Sequence, residues 1–246
     1  MLAGWKYIAR VLFWLGFLLT FGFFLNSTLS EIFLRSTVKP CEIWAVQSRY
    51  EIWQILDKCG LKVGVELGVQ QGVYAAHILK HWKLCTKYYL VDPWVQQKNY
   101  KDWANVDNSS QDKLLEQTKQ RLSSFSSKTV FLRLTSKQAV SNFTVGSLDF
   151  AYIDARHDYC GTKEDIELFW PKLRRGGVMS GHDYAWTGDE GQWKRENQDW
   201  GLCEDGSRQV GAVKRAVDEF AQKHNLKLVL TRDPPGLNPS WIVAKP

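Results

Sequence analysis

Four apolar runs of the sequence end in acidic or imidazole side chains. These residues are Glu66, Asp92, Asp154 and the pair His182-Asp183. Carboxylates accept hydrogen bonds from hydroxyl groups and bind cations, and imidazole exchanges protons near neutral pH. The set therefore predicts a site for a cationic or hydroxyl-bearing ligand in which a proton can be moved.

A glycine-containing turn accompanies the first of these acids. Residues 65–72 read Val-Glu-Leu-Gly-Val-Gln-Gln-Gly, so Gly68 and Gly72 let the backbone approach a ligand at the start of a helix. The spacing is not the G-x-G-x-x-G of a pyrophosphate site, and the acid disfavours a phosphate. Asp92 stands where an acid accepts hydrogen bonds from ribose hydroxyls. Each feature alone is also typical of a turn or helix cap, but together they favour a nucleoside ligand.

Strand-like and helix-like patterns alternate along the chain and must position these residues. Short apolar runs predict strands at 61–67, 88–91, 130–134, 148–153, 178–180, 226–230 and 241–244. Helical patterns occupy 42–58, 74–82, 110–122, 164–173 and 210–224. This alternation indicates an α/β fold with a mostly parallel, Rossmann-like sheet and helices on both faces. The last two strands are expected to pair antiparallel at one edge.

Two longer motifs carry a resemblance to a known family. Residues 148–159 read Leu-Asp-Phe-Ala-Tyr-Ile-Asp-Ala-Arg-His-Asp-Tyr, and 176–184 read Gly-Gly-Val-Met-Ser-Gly-His-Asp-Tyr. With the patterns at 210–220 and 240–245, they make residues 61–246 resemble a class I S-adenosylmethionine (SAM)-dependent methyltransferase. The motifs are most similar to the branch of macrocin-type sugar O-methyltransferases and cephalosporin-hydroxylase-like proteins.

The resemblance implies which residues bind the cofactor. The methionine part of SAM would lie along the glycine turn and Asp154, the ribose at the second strand end, and the adenine near Ser136 with Trp94 against its ring. The implied cofactor-binding residues are Glu66, Gly68, Gly72, Asp92, Trp94, Ser136 and Asp154.

The same resemblance implies a catalytic set. Asp154 and Asp183 would hold a divalent cation, and His157 would act as general base. His182 stands where metal-dependent relatives carry an acid or amide, so it is a third ligand, a second base or a hydrogen-bond donor. Carboxylate oxygens suit Mg²⁺, and Mn²⁺ tolerates an imidazole nitrogen better. A metal that orients a hydroxyl and a base that takes its proton are what methyl transfer to oxygen requires.

The N-terminal residues form an apolar stretch. Residues 11–30 carry no charge, and twenty helical residues span about 30 Å, the thickness of a bilayer core. Lys6 and Arg10 precede the stretch, which predicts a cytosolic N-terminus. We expect a signal-anchor over 1–36 and a SAM-dependent methyltransferase domain over 37–246, facing the ER or Golgi lumen. A cleaved signal peptide and a buried core helix are the alternatives.

Weaker signals fit that topology. Asn26, Asn108 and Asn142 begin glycosylation triplets, which predicts a glycoprotein. The five cysteines allow two disulfides and a spare thiol, or five reduced thiols. Insertion in the opposite direction, with the domain in the cytosol, is the alternative and favours a small-molecule or lipid acceptor.

Charge and aromatic content restrict the partner. The net charge of +6 is spread without clusters, so no nucleic-acid surface is expected. The loops 94–108 and 184–207 follow strand ends and are expected to cover the site as a substrate lid, unless they only pack on themselves. Their aromatic residues are Trp94, Tyr100, Trp103, Trp186, Trp193 and Trp200.

These patterns together favour a membrane-anchored SAM-dependent O-methyltransferase acting on a hydroxyl of a glycan or small molecule. A dinucleotide-dependent oxidoreductase is a weaker interpretation, because the pyrophosphate motif is missing and an acid stands at position 66. A non-catalytic module that binds a partner through the same fold is a further alternative.

Overall fold

The computed structural model describes residues 40–185, 198–234 and 236–246. Seven strands lie at β1 (Val63–Leu67), β2 (Lys87–Val91), β3 (Thr129–Leu132), β4 (Leu148–Ile153), β5 (Leu173–Gly181), β6 (Val229–Leu230) and β7 (Trp241–Ala244). The helices are α1 (Trp53–Lys58), α2 (Val73–His81), α3 (Asn108–Arg121), α4 (Ser136–Ala139), α5 (Tyr159–Phe169) and α6 (Ala212–Lys223). Strands and helices alternate as the sequence predicts.

All seven strands form one sheet in the order β3-β2-β1-β4-β5-β7-β6. Strands β1 to β5 pair in parallel, while β7 runs antiparallel to both β5 and β6. The predicted mostly parallel, Rossmann-like sheet is confirmed, and so is the antiparallel pairing of the last two strands. Strand β7 inserts between β5 and the short edge strand β6, so the antiparallel pair lies at one edge of the sheet.

Two apolar clusters cover the faces of the sheet. Side chains alternate along a strand, so in β4 Phe150 and Tyr152 pack into one cluster while Ala151 and Ile153 pack into the other. The first cluster includes side chains of α1 and α2, and the second those of α5 and α6. The sheet is therefore buried on both faces, and its strand ends are left to bind a ligand.

The segment before β1 is not the continuous helix predicted for residues 42–58. It contains a short 3₁₀ turn at Arg49–Glu51 followed by α1. A disulfide joins Cys41 to Cys59 with their Cα atoms 5.5 Å apart. Eighteen residues of helix would separate these atoms by about 27 Å, so the bridge and a continuous helix exclude each other.

A second disulfide joins Cys160, in α5, to Cys203 in the segment 198–211. The fifth cysteine, Cys85, is a buried thiol. Of the two alternatives left open by the cysteine count, the structure has two bridges and a spare thiol.

The expected membrane anchor is contradicted. None of the helices formed by residues 40–185, 198–234 and 236–246 is long and apolar enough to cross a bilayer. The segment 1–36, on which the signal-anchor prediction rested, lies outside the described residues. The single-pass, lumen-facing localisation is therefore corrected, and the glycoprotein prediction that depended on it has no support.

Candidate active site

A cavity of about 590 Å³ lies at the carboxyl ends of β1, β2, β4 and β5. The strand order reverses between β1 and β4, which is where open α/β sheets bind their ligands. Side chains that follow these strands line the cavity: Gly68, Asp92, Asp154, His182 and Asp183. The structure therefore brings residues from four strand ends together at one cavity.

The turn after β1 forms one wall of the cavity. Gly68 has a φ of +83°, and a Cβ atom there would lie 2.0 Å from the carbonyl oxygen of Asp154. Asp92 fixes the turn, because one of its oxygens accepts the backbone N–H groups of Val69 and Gln70 at 2.9 Å each. Burial raises the pKa of Asp92 despite these hydrogen bonds. Glycine at position 68 thus allows the turn to pack against the end of β4, and the turn lines the cavity.

Glu66 contributes a carboxyl group from within β1. It is 2% exposed and accepts a hydrogen bond from the hydroxyl of Tyr88 at 3.0 Å. Burial raises its pKa well above the usual value, although the Tyr88 hydroxyl acts in the opposite direction. This carboxyl lines the cavity as a buried polar group.

The imidazole of His157 is held from both of its nitrogens. Nε2 lies 3.3 Å from a carboxylate oxygen of Asp154 and 3.3 Å from one of Asp183. Nδ1 lies 3.2 Å from the Tyr100 hydroxyl and 3.4 Å from Asp102. Burial disfavours the charged imidazole, but the three carboxylates outweigh it and raise the pKa of His157 well above its usual value.

Asp102 comes from the loop that follows β2. Its carboxylate accepts the indole N–H of Trp200 at 2.8 Å and the backbone N–H of Ala104 at 2.9 Å. Burial opposes its ionisation, yet the hydrogen bond from His157 and its neighbours lower the pKa of Asp102. These hydrogen bonds therefore hold the Asp102 carboxylate, in its charged form, beside the imidazole of His157.

Three side chains at the ends of β4 and β5 form a candidate cation site. Ligand atoms of Asp154, His182 and Asp183 all lie within 4.8 Å of one another. Asp183 adopts a φ of +51°, and its carboxylate accepts the side-chain amide of Asn238 at 2.8 Å. Two carboxylates and one imidazole form a donor set that fits Mn²⁺ or Mg²⁺.

Three predicted cofactor residues do not line the cavity. Trp94 is fully buried, and its indole N–H donates to the carbonyl of Gln70. Ser136 begins α4 and hydrogen-bonds the carboxyl of Asp165. Gly72 has a φ of +66° and packs against α3, where a Cβ atom would lie 2.7 Å from a methyl of Thr118. The side chains of Trp94 and Ser136 therefore make contacts away from the cavity, and Gly72 allows the close packing of the turn on α3.

The loop 94–108 covers one side of the cavity. Tyr100 is buried against His157, whereas Trp103 is 64% exposed at the rim. Arg156 ties the loop down by donating to the carbonyls of Lys98 and Asn99 at 3.2 and 3.0 Å. Of the second loop, Trp200 contacts Asp102, and Trp186 and Trp193 lie outside the described residues.

Three residues of the site are missing from the sequence-based prediction. Arg49 and Tyr74 line the cavity beside Asp154, and Asp102 faces His157. Asp102 follows a strand end within an aromatic loop, which is a weak signal. Arg49 and Tyr74 stand inside helical patterns, and their spacing reveals nothing about the cavity.

Comparisons with known proteins agree with this architecture. The model of a family described as "Methyltransferase domain" matches residues 65–184. A search of curated proteins finds no match.

Solved structures of three bacterial proteins resemble the chain. A putative caffeoyl-CoA O-methyltransferase from Staphylococcus aureus has a TM-score of 0.56 and 13% identity, covering 89% of this chain and 91% of its own. An O-methyltransferase from Bacillus cereus in complex with S-adenosylhomocysteine (SAH) has a TM-score of 0.51 and 12% identity, and the match covers 89% of this chain and 90% of that protein. The O-methyltransferase TomG from Streptomyces achromogenes, in complex with SAM, has a TM-score of 0.52 and 8% identity, and the match covers 80% of this chain and 79% of that protein. At such identities the likeness concerns the fold.

The sheet order, the site at the strand ends and the matched family model agree with one another. Residues 65–184 match a family model described as "Methyltransferase domain", and the fold of the chain is similar to those of solved O-methyltransferases.

Proposed function

We propose that this protein transfers the methyl group of SAM to a hydroxyl oxygen of a sugar, a glycan or another small molecule. The observation that carries the proposal is the imidazole of His157, which stands at the cavity wall between Asp154 and Asp183 and is backed by Asp102. A hydroxyl is a poor nucleophile at neutral pH, so its methylation needs a group that removes the proton.

The cavity fits the donor. The tight turn at Gly68 presents backbone rather than side chains, and Glu66, Asp92 and Asp154 give acidic partners to the ammonium and ribose hydroxyls of SAM. When bound, SAM supplies an electrophilic methyl carbon on a sulfonium ion. The residues of the chain bind and orient it, and holding donor and acceptor in line lowers the barrier by proximity.

His157 takes the acceptor proton in this proposal. Asp102 and Tyr100 face Nδ1, so Nε2 is the nitrogen presented to the cavity. The imidazole accepts a proton only in its neutral form. A divalent cation on Asp154 and Asp183 would offset the negative charges that hold it protonated.

A divalent cation therefore forms part of the proposal. Asp154, Asp183 and His182 would bind Mg²⁺ or Mn²⁺, and the ion would supply an oxygen-binding Lewis acid beside the imidazole. Equilibrium dialysis with Mn²⁺ tests the site directly. Wild type is expected to bind one ion, and Asp183→Asn is expected to lose it.

Two observations support a sugar or another small hydroxyl-bearing molecule as the acceptor. Trp103 is exposed at the rim, where its indole ring can stack on a sugar or another flat ligand. The named structural neighbours are O-methyltransferases, and the motifs around residues 154–157 and 176–184 resemble sugar O-methyltransferases.

The test separates binding of the donor from transfer. Transfer of radiolabelled methyl groups to a panel of sugars and phenols is measured for wild type and His157→Gln, with Mg²⁺ or Mn²⁺ present. We expect the variant to lose at least about 100-fold in turnover, a typical contribution of a general base, while calorimetry shows unchanged SAH binding. A variant with full turnover rules out His157 as the base, and a folded wild type that binds no SAH rules out the function.

A further inference from the structure

Arg49 brings a positive charge into the cavity from outside the matched domain. It lies in the 3₁₀ turn before β1, sixteen residues ahead of the first matched position. Its guanidinium donates to Asp154 at 2.9 Å, with 22% of the side chain exposed. The ion pair therefore lies on the cavity wall rather than in the core.

The remaining donors of Arg49 face a limited set of groups. Its guanidinium lies 5.3 Å from the ring centroid of Tyr50 and 5.7 Å from that of Tyr74. Among the described residues, Asp154 is the carboxylate within ion-pair distance. The guanidinium also hydrogen-bonds the side chains of Tyr50 and Tyr152. Since a guanidinium has five N–H donors, this arrangement leaves donors for an anion in the cavity.

Tyr74 provides a second donor at the same place. Its ring is stacked on Tyr152 with centroids 3.9 Å apart, and the residue is 4% exposed. Within the part of the chain that the structure describes, its hydroxyl has no hydrogen-bond partner. A buried polar group without a partner is costly. Since Tyr74 lines the cavity, a ligand is the natural partner.

We propose that Arg49 and Tyr74 bind the α-carboxylate of the methionine part of SAM. This inference rests on the proposed use of SAM. An amino acid carries an ammonium and a carboxylate on one carbon, and the Arg49–Asp154 pair presents the two opposite charges side by side. The carboxylate would accept from the guanidinium and the Tyr74 hydroxyl, while the ammonium faces Asp154.

The assignment makes this chain selective for a donor that retains its carboxylate. Tyr74 lies within the residues matched by the methyltransferase family model, and the segment with Arg49 lies outside them. That segment is joined to the body of the domain through the Cys41–Cys59 bridge and the packing of α1 on the sheet.

The experiment compares two thioethers that differ only at this group. Calorimetry on the full chain measures SAH and S-adenosyl-3-thiopropylamine, which lacks the carboxylate. Wild type is expected to bind SAH roughly 10- to 100-fold more tightly, as for hydrogen bonds to a charged group. Arg49→Gln should remove most of that preference and leave the affinity for the amine within about threefold. Tyr74→Phe should reduce the preference by a smaller factor.

Matched controls keep the outcomes distinct. Arg215→Gln removes a half-buried arginine of α6 that pairs with Glu219, outside the cavity, and should leave both affinities unchanged. Equal losses for both thioethers in Arg49→Gln would show that Arg49 only supports Asp154, and would overturn the inference while leaving the proposed function standing. If a folded wild type binds neither thioether, the proposed use of SAM fails instead.

Discussion

At the scale of single residues, the site depends on how one imidazole is held. Asp102 contacts Nδ1 of His157, and Trp200 and Ala104 fix the orientation of Asp102. A buried carboxylate in this position selects the tautomer and direction of the ring, as orienting groups do around metal-bound and catalytic histidines. Asp102 is therefore a positioning residue.

Replacement of Asp102 by asparagine tests that role. The amide places an N–H group where the carboxylate accepts hydrogen bonds, so we expect turnover to fall by roughly 10- to 100-fold. SAH binding by calorimetry should remain within about twofold, because Asp102 belongs to the acceptor side. Asp112→Asn, which alters an exposed ion pair with Arg133, is the matched control. Unchanged turnover in Asp102→Asn would contradict the role.

The residue scale also shows what sequence reasoning can find. Asp154 and Asp183 follow strand ends, so the rule that ligands bind there predicts them from the sequence. His157 is predicted only through the resemblance to sugar O-methyltransferases. Arg49, Tyr74 and Asp102 escape it, because their roles depend on how a disulfide-bonded segment and a loop pack against those strands. The motif positions of Trp94 and Ser136 suggest contacts with the cofactor, but packing directs both side chains elsewhere.

At the scale of elements, α4 and α5 meet through a buried acid. Asp165 of α5 is 5% exposed and hydrogen-bonds to Ser136, the first residue of α4. Burial raises the pKa of Asp165 to about 7, although the Ser136 hydroxyl lowers it. Since the ordinary value of 3.8 applies to the unfolded chain, the folded state binds the extra proton. The ionised carboxylate therefore destabilises the fold increasingly as pH rises from about 4 to 7.

Asp165→Asn removes this titration and preserves the shape. Urea unfolding at pH 5 and pH 8 should show that the variant gains more stability over wild type at pH 8. The difference between the two gains is expected to be about 1–3 kcal/mol, since one pKa unit corresponds to about 1.4 kcal/mol. A gain that is larger at pH 5 would refute the assignment.

The bounds of elements with a clear apolar pattern are predicted closely from the sequence, and the helix that is predicted wrongly is interrupted for a physical reason. Strands β4 and β7 have the predicted bounds, since their apolar runs stop at polar residues or turns. The helix expected over 42–58 is interrupted because Cys41 bonds to Cys59. Covalent pairing depends on the whole fold and is invisible to local periodicity.

At the scale of the whole molecule, two disulfides attach peripheral segments to the sheet. Cys41–Cys59 closes 18 residues around the segment with Arg49, and Cys160–Cys203 closes 43 residues and attaches the segment that contains Trp200. Cross-links stabilise by restricting the unfolded chain, and the effect grows with loop length. Both bridges hold side chains of the site.

Removal of the bridges should destabilise the domain unequally. We expect roughly 2–4 kcal/mol for each, with the larger loss for the Cys160→Ser/Cys203→Ser double variant because it opens the longer loop. Chemical unfolding of the two double variants measures the difference. Reductant should produce no further change in a variant that lacks both bridges. A larger loss at the shorter loop would contradict the entropic explanation.

The position of β7 has a consequence for the timing of biosynthesis. Trp241, Ile242 and Val243 are fully buried between β5 and β6, although they are the last residues of the sheet to be translated. Until residue 244 has left the ribosome, β5 is paired only with β4, and β6 has no strand to pair with. We therefore expect the nascent chain to expose an open sheet edge until β7 has been translated and has paired, so that closure of the sheet follows the folding of β1 to β5.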